Sequence, residues 1–180
     1  MDRYFRRDRS VCGRHASDYQ TAPARRFKPL RQRFVRETEI HAPVRAVFAF
    51  HERPDALVRL TPPGDRIDVI QPPTSLAVGT HVIFRVHLGP IAVVWEAEHT
   101  EYERDKVFAD LQIRGPFRYW LHRHRFESTA TGTRLIDDIE YELPAGALGR
   151  LIAGGAIRAK LEAMFAHRHA VTRAACETSE

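Results

Sequence analysis

Apolar and polar residues alternate with period two in a series of short stretches. Each such stretch sends one residue set to each face of a strand. Residues 33–40 open the series, with Phe34, Thr38 and Ile40 set against Val35, Glu37 and Glu39. His41-Ala42-Pro43 breaks the strand. Pro43 suits the first turn of a helix, and Val44, Val47 and Phe48 follow at helical spacing. A second short helix is predicted over 54–60, closed by Thr61-Pro62-Pro63-Gly64. Further strands are predicted over 66–70, 80–88, 91–100, 107–113, 119–127 and 133–143. The connections between the later ones are short, so they form an antiparallel meander. Pro144 ends the sheet. A long helix is predicted over about 147–174, with Leu148, Leu151, Ile152, Leu161, Met164 and Phe165 as its apolar stripe. Gly149, Gly154 and Gly155 sit early in it, where each costs about 1 kcal/mol relative to Ala. A close approach to the backbone, a kink or plain packing on the sheet would each account for them.

The order is one strand, two short helices, a six-stranded meander and one long helix. It predicts an α+β helix-grip fold, a curved antiparallel sheet wrapped around the terminal helix with a cavity between them.

The faces of the strands carry the chemistry. In 119–127 one face holds Trp120, His122, His124 and Phe126, and the other holds Tyr119, Leu121, Arg123 and Arg125. In 133–143 the inner set is Leu135, Asp137, Ile139, Tyr141 and Leu143. In 91–100 it is Trp95, Ala97 and His99. Strand 107–113 is ambiguous, because periodicity alone would bury Val107, Ala109, Leu111 and Ile113. A tight 114–117 turn puts Asp110 opposite His122 and Gln112 opposite Trp120, and a regular 128–132 loop puts Asp137 near His124. Inward histidines then meet inward carboxylates, as buried polar groups require. On that ground Phe108, Asp110 and Gln112 are assigned to the inner face.

The result is a mixed wall. Trp95, Phe108, Trp120, Phe126 and Tyr141 are its apolar part. His99, Asp110, Gln112, His122, His124 and Asp137 are its polar part. Apolar lining with a few placed polar groups describes a small-molecule site. The pairs His122–Asp110 and His124–Asp137 are also candidate general acid/base groups, or else satisfied structural contacts. His122 and His124 at i, i+2, with His99 and a carboxylate, could coordinate zinc or iron. Ten histidines make chance clustering easy, so neither a metal nor a cofactor is expected. His167, Arg168, His169 and Arg173 read as a solvated helix end.

Charge changes the picture only at the N-terminus. Residues 1–33 hold nine Arg and one Lys against three Asp, a net of +7 in a chain whose whole net charge is +5. The remainder is slightly acidic. Residues 1–30 read as a flexible basic tail preceding a domain of 31–176, and nucleic-acid binding is not expected of that domain. Neither a membrane span nor a signal peptide is visible, and the two cysteines, Cys12 and Cys176, form no framework. A cytoplasmic protein is expected.

Phe34-x-x-x-Thr38-x-Ile40-x-Ala42-Pro43 resembles the opening of the START-like SRPBCC superfamily, which includes birch-pollen-allergen-type proteins and polyketide cyclase/dehydrases. Trp95-x-Ala97-Glu98-His99-Thr100, the run from Phe108 through Gly115-Pro116-Phe117 to Phe126, and Asp137-x-x-x-Tyr141-x-Leu143-Pro144 are similar to its bacterial ligand-binding branch. The resemblance covers about residues 31–175. It implies a helix-grip fold with a hydrophobic pocket and carries over no catalytic residue, since the superfamily holds carriers, sensors and enzymes alike. The expected partner is a small hydrophobic molecule such as a lipid, polyketide or quinone, carried or sensed. The alternative is a cyclase/dehydrase-type enzyme using a His/Asp pair in the same cavity.

Overall fold

The structure is a computed structural model, and it describes residues 31–177. Its elements are β1 (Gln32–Ile40), α1 (Val44–His51), α2 (Ala56–Arg59), β2 (Ile67–Gln71), β3 (His81–Leu88), β4 (Ile91–Glu103), β5 (Val107–Arg114), β6 (Tyr119–Ser128), β7 (Thr133–Glu142) and α3 (Gly146–Glu177). All seven strands form one antiparallel sheet in the order β1-β7-β6-β5-β4-β3-β2. Strands β2 to β7 meander, and α1 and α2 carry the chain from one edge of the sheet to the other. The predicted basic tail lies outside the described residues. No helix among the described residues is long and apolar enough to cross a membrane.

Two apolar clusters hold the sheet to the helices. One joins α1 (Val47, Phe48, Phe50) to Phe108, Phe126, Leu135 and Cys176. The other joins Phe34, Trp120, Ile139 and Tyr141 to Leu161 and Phe165 of α3. Phe34 and Phe165 are fully buried, with ring centroids 5.6 Å apart. Each such side chain contributes about 1.5–3 kcal/mol through its removal from water.

The register follows the turn argument. Asp110 pairs with His122 across β5–β6, and His124 pairs with Asp137 across β6–β7. The inner face of β5 is the less apolar one: Phe108 is buried inward, whereas Ile113 is half exposed. Ala109 points to the other face and is nevertheless buried. Its cross-strand partners are Arg123 and Glu101, whose side chains meet at 3.0 Å. A small residue fits beneath that pair.

The stripe predicted for α3 holds only in its C-terminal half. Leu161 and Phe165 are buried, but Leu148, Leu151 and Ile152 are 59%, 84% and 75% exposed. In the first half the helix instead turns Gly149, Ala153 and Ile157 to the cavity, at i, i+4 spacing. Two of these inward residues, Gly149 and Ala153, are small, and the large Leu148, Leu151 and Ile152 point outward. Gly149 has a clear steric reason, because a Cβ there would lie 1.9 Å from the Pro144 carbonyl oxygen. Gly155 faces open space.

Candidate functional site

The concave face of the sheet and α3 enclose a cavity of about 490 Å³. Trp95 from β4, Phe108 from β5, Phe117 from the β5–β6 turn and Trp120 from β6 form aromatic wall, closed by Leu161 and Met164 of α3. Trp95 stands edge-on to Trp120 at 5.3 Å and stacks on Phe84 at 5.8 Å. Such edge-on and offset pairs add about 0.5–1.5 kcal/mol each beyond burial and stiffen the wall.

The polar groups lie where the two apolar clusters meet. Asp137, 3% exposed, is their hub. Its Oδ1 accepts a hydrogen bond from His122 Nε2 at 2.7 Å, and its Oδ2 accepts one from His169 Nε2 at 2.6 Å. His124 Nδ1 lies 2.8 Å from Asp137 Oδ1 but off the line of a hydrogen bond, so that contact is electrostatic. Asp110 is the second carboxylate. Its Oδ1 is 3.0 Å from His99 Nε2, and its Oδ2 is 3.5 Å from His124 Nε2. Aromatic neighbours pack the imidazoles: Phe108 stacks on His124 at 4.1 Å, and His122 meets Phe165 edge-on at 5.2 Å.

Burial and charge pull these groups apart in acidity. Burial pushes the Asp137 carboxyl up, but the His124 charge and the hydrogen bonds from His122 and His169 outweigh it, and the carboxyl ends well below the ordinary range. Asp110 is likewise held low, burial being outweighed by His124 and His99. His122 is pushed down to about 4 by burial and by its charged neighbour His124, whose ring centroid is 3.8 Å away. His124 goes the other way: burial lowers it, but Asp137 and Asp110 together hold it above the usual histidine value. The cluster therefore holds two carboxylates and a His122 that is neutral at neutral pH, beside a His124 whose protonated form the two carboxylates favour.

The structure regroups the predicted site residues. Trp95, His99, Phe108, Asp110, Trp120, His122 and His124 all line the cavity. His124 has the predicted contact with Asp137, but the carboxylate bonded to His122 is Asp137 and not Asp110. The two strands set these residues opposite in register, and the side chain then reaches toward the more buried neighbour. Gln112 is drawn away, its amide gripping the backbone N–H and carbonyl of Phe117 across the turn. Gln112 therefore braces a loop and does not line the cavity. Phe126 and Tyr141 point inward but belong to the apolar clusters behind the wall.

Three residues escaped the sequence reading. His169 and Arg168, expected on a solvated helix end, turn to the sheet. His169 is 4% exposed and bonded to Asp137. Arg168 lines the cavity with its guanidinium 5.2 Å over Phe165, forms no ion pair among the described residues, and is pushed down in pKa by burial. The signal was present in the i, i+4 spacing of Leu161, Phe165 and His169, which continues one buried face. His51 closes the cluster from α1, capped by its own Nδ1 contact with the Val47 carbonyl at 2.8 Å and pushed down to about 4 by burial and by His124. Nothing in the local sequence marks it.

With this geometry in place, known proteins give it a family. The profile of the family described as "Polyketide cyclase / dehydrase and lipid transport" matches residues 40–166. The chain belongs to that family. No curated protein matches the chain. Among solved structures, a protein from Chromobacterium violaceum superposes with a TM-score of 0.64 at 13% identity, over 82% of this chain and 99% of that one. The Zhui aromatase/cyclase of a Streptomyces species superposes with 0.56 at 16%, over 81% and 91%. The nucleoside-diphosphate sugar epimerase of Corynebacterium glutamicum gives 0.62 at 26% over 78% of this chain, but only 28% of that longer chain is matched. The START-like helix-grip fold expected from the sequence is the one the chain adopts.

Proposed function

We propose that this protein binds a small hydrophobic molecule in the cavity beneath α3, as a carrier or sensor. The observation that carries the reading is the composition of the wall: aromatic and aliphatic over most of its area, with His99, Asp110, His122, His124 and Arg168 gathered as its polar part. Apolar burial would supply the affinity, and the polar groups would select one oxygen-bearing end of the ligand. Arg168, without a carboxylate partner among the described residues, is the cation best placed for that end.

The test is native mass spectrometry of the protein as purified, followed by identification of any compound released on denaturation. Trp95 and Trp120 line the cavity, so ligand entry should also change the intrinsic fluorescence. Trp120→Ala should weaken binding of the released compound through lost wall contact, whereas His122→Ala should change its pH dependence or polarity preference. Unchanged affinity in both variants would remove the cavity from the mechanism.

A second reading, acid/base catalysis on such a ligand, is favoured by one feature. His122 lines the cavity and is backed by the buried Asp137 at 2.7 Å, the arrangement of an oriented general base. Turnover that disappears in His122→Gln while binding persists would select this reading over passive carriage.

A further inference from the structure

We propose that Asp110, His122 and His124 form a binding site for one divalent transition-metal ion, with its open coordination positions turned into the cavity. Each of the three offers one ligand atom, and these atoms lie within 4.8 Å of one another. Donors about 2.1 Å from a tetrahedral ion stand about 3.4 Å apart. His124 Nε2 and Asp110 Oδ2 are already 3.5 Å apart. The widest separation needs a closure on the order of 1 Å.

The stronger observation is how the three are held. Each is fixed through one atom and leaves another available. His122 gives Nε2 to Asp137, and its Nδ1 is engaged in no hydrogen bond among the described residues. His124 turns Nδ1 to Asp137 and Nε2 toward Asp110. Asp110 places Oδ1 beside His99 and leaves Oδ2 directed at His124. Asp137 is in turn fixed by His169 from α3. A carboxylate that orients two imidazoles through their second nitrogens is the usual outer support of a metal site. The ligands also sit on rigid elements. Asp110 and His122 are register partners on adjacent strands, and His124 follows on the same face.

Charge and access agree. The buried Asp137 and the half-buried Asp110 face this point, and the nearby Arg168 forms no ion pair with either, so a divalent cation would offset them. All three donors line the cavity, where water or a ligand oxygen can complete the coordination. Two imidazoles and one carboxylate suit zinc, iron(II) or cobalt(II) better than calcium or magnesium. Ten histidines argue for coincidence only while their positions are unknown. Here their separations and their shared carboxylate support are fixed.

The test uses the full-length protein, stripped with a chelator and titrated with zinc or cobalt(II) alone, followed by calorimetry and by the visible absorption of bound cobalt. One equivalent is expected. Asp110→Asn and His124→Gln should each weaken it about tenfold or more. His122→Gln should do the same while keeping a donor for Asp137. His81→Gln, on the surface beside Glu96, should not. Circular dichroism checks each variant for folding. The isosteric Asp110→Asn keeps the test decisive should the histidine variants not fold. Absence of saturable binding, or a site whose affinity is the same in folded Asp110→Asn, would overturn the proposal. No apolar ligand enters this experiment, so its failure leaves the cavity reading standing.

Discussion

The two faces of β7 carry neighbouring aspartates with opposite surroundings. Asp137 points inward to three histidines, with both of its oxygens in use and water excluded. Asp138 points outward and is gripped by both Arg33 nitrogens, at 2.8 and 2.7 Å, with the arginine itself largely in water. Both carboxyls are held below their ordinary range: Asp138 by the hydrogen bonds and charge of Arg33, Asp137 by its histidines against the cost of burial. The same residue type is thus a structural clamp on one face and the hub of a candidate site on the other. The difference lies in what can replace the partner. Asp138 is itself only 7% exposed, but its partner Arg33 lies largely in water and Arg125 stands 3.8 Å away, whereas the partners of Asp137 are all buried histidines.

The comparison is broken most directly at the hub. Asp137→Ala leaves His122 and His169 without their shared acceptor, and His124 without its counter-charge, in a dry site. It should cost about 3–5 kcal/mol in denaturant unfolding, with the protein still binding-competent only if the fold survives. A loss no larger than that of a surface pair would mean that water reaches the cluster.

Acidity should expose the same asymmetry. In metal-free protein, His51 and His122 have folded values of about 4 against 6.5 when unfolded. The unfolded chain therefore takes up protons that the folded chain refuses as pH falls from about 6.5 to about 4, and stability falls with it, by a few kcal/mol. His124 runs oppositely, since its raised value stabilises below 6.5 and that contribution fades as pH rises through the folded value. The two carboxylates add a further loss below about 3.9. Unfolding free energy measured across pH 4–8 should be lowest at the acid end, and His122→Gln should flatten the acid limb. The smallest effect is expected on the outer face. Asp138→Ala should shift the denaturation midpoint far less than Asp137→Ala, and added salt should shrink the difference between Asp138→Ala and the parent, because Arg33 is solvent-screened.

Much of this was legible in the residues. The alternation in β6 put Trp120, His122, His124 and Phe126 on one face, and the short loops fixed the pairings Asp110–His122 and His124–Asp137. The choice of the less apolar face of β5 rested on the need of buried polar groups for partners, and it is the face that lines the cavity. Periodicity failed on α3 because a stripe of large residues implies contact only where a surface lies opposite. Over the first turns the cavity lies opposite, and small residues face it.

By itself the sequence determined the meander, the inward faces of its later strands and the register of β5–β6 and β6–β7, because these depend on near neighbours and on a fixed period of two. It also placed the fold in its superfamily. Tertiary structure alone decided which nitrogen meets which oxygen. His169 is 32 residues from Asp137, and His51 arrives from α1. Gln112, correctly faced inward, was captured by the Phe117 backbone five residues away. Side-chain partners are chosen by distance and burial in three dimensions, after the backbone pattern has only narrowed the candidates.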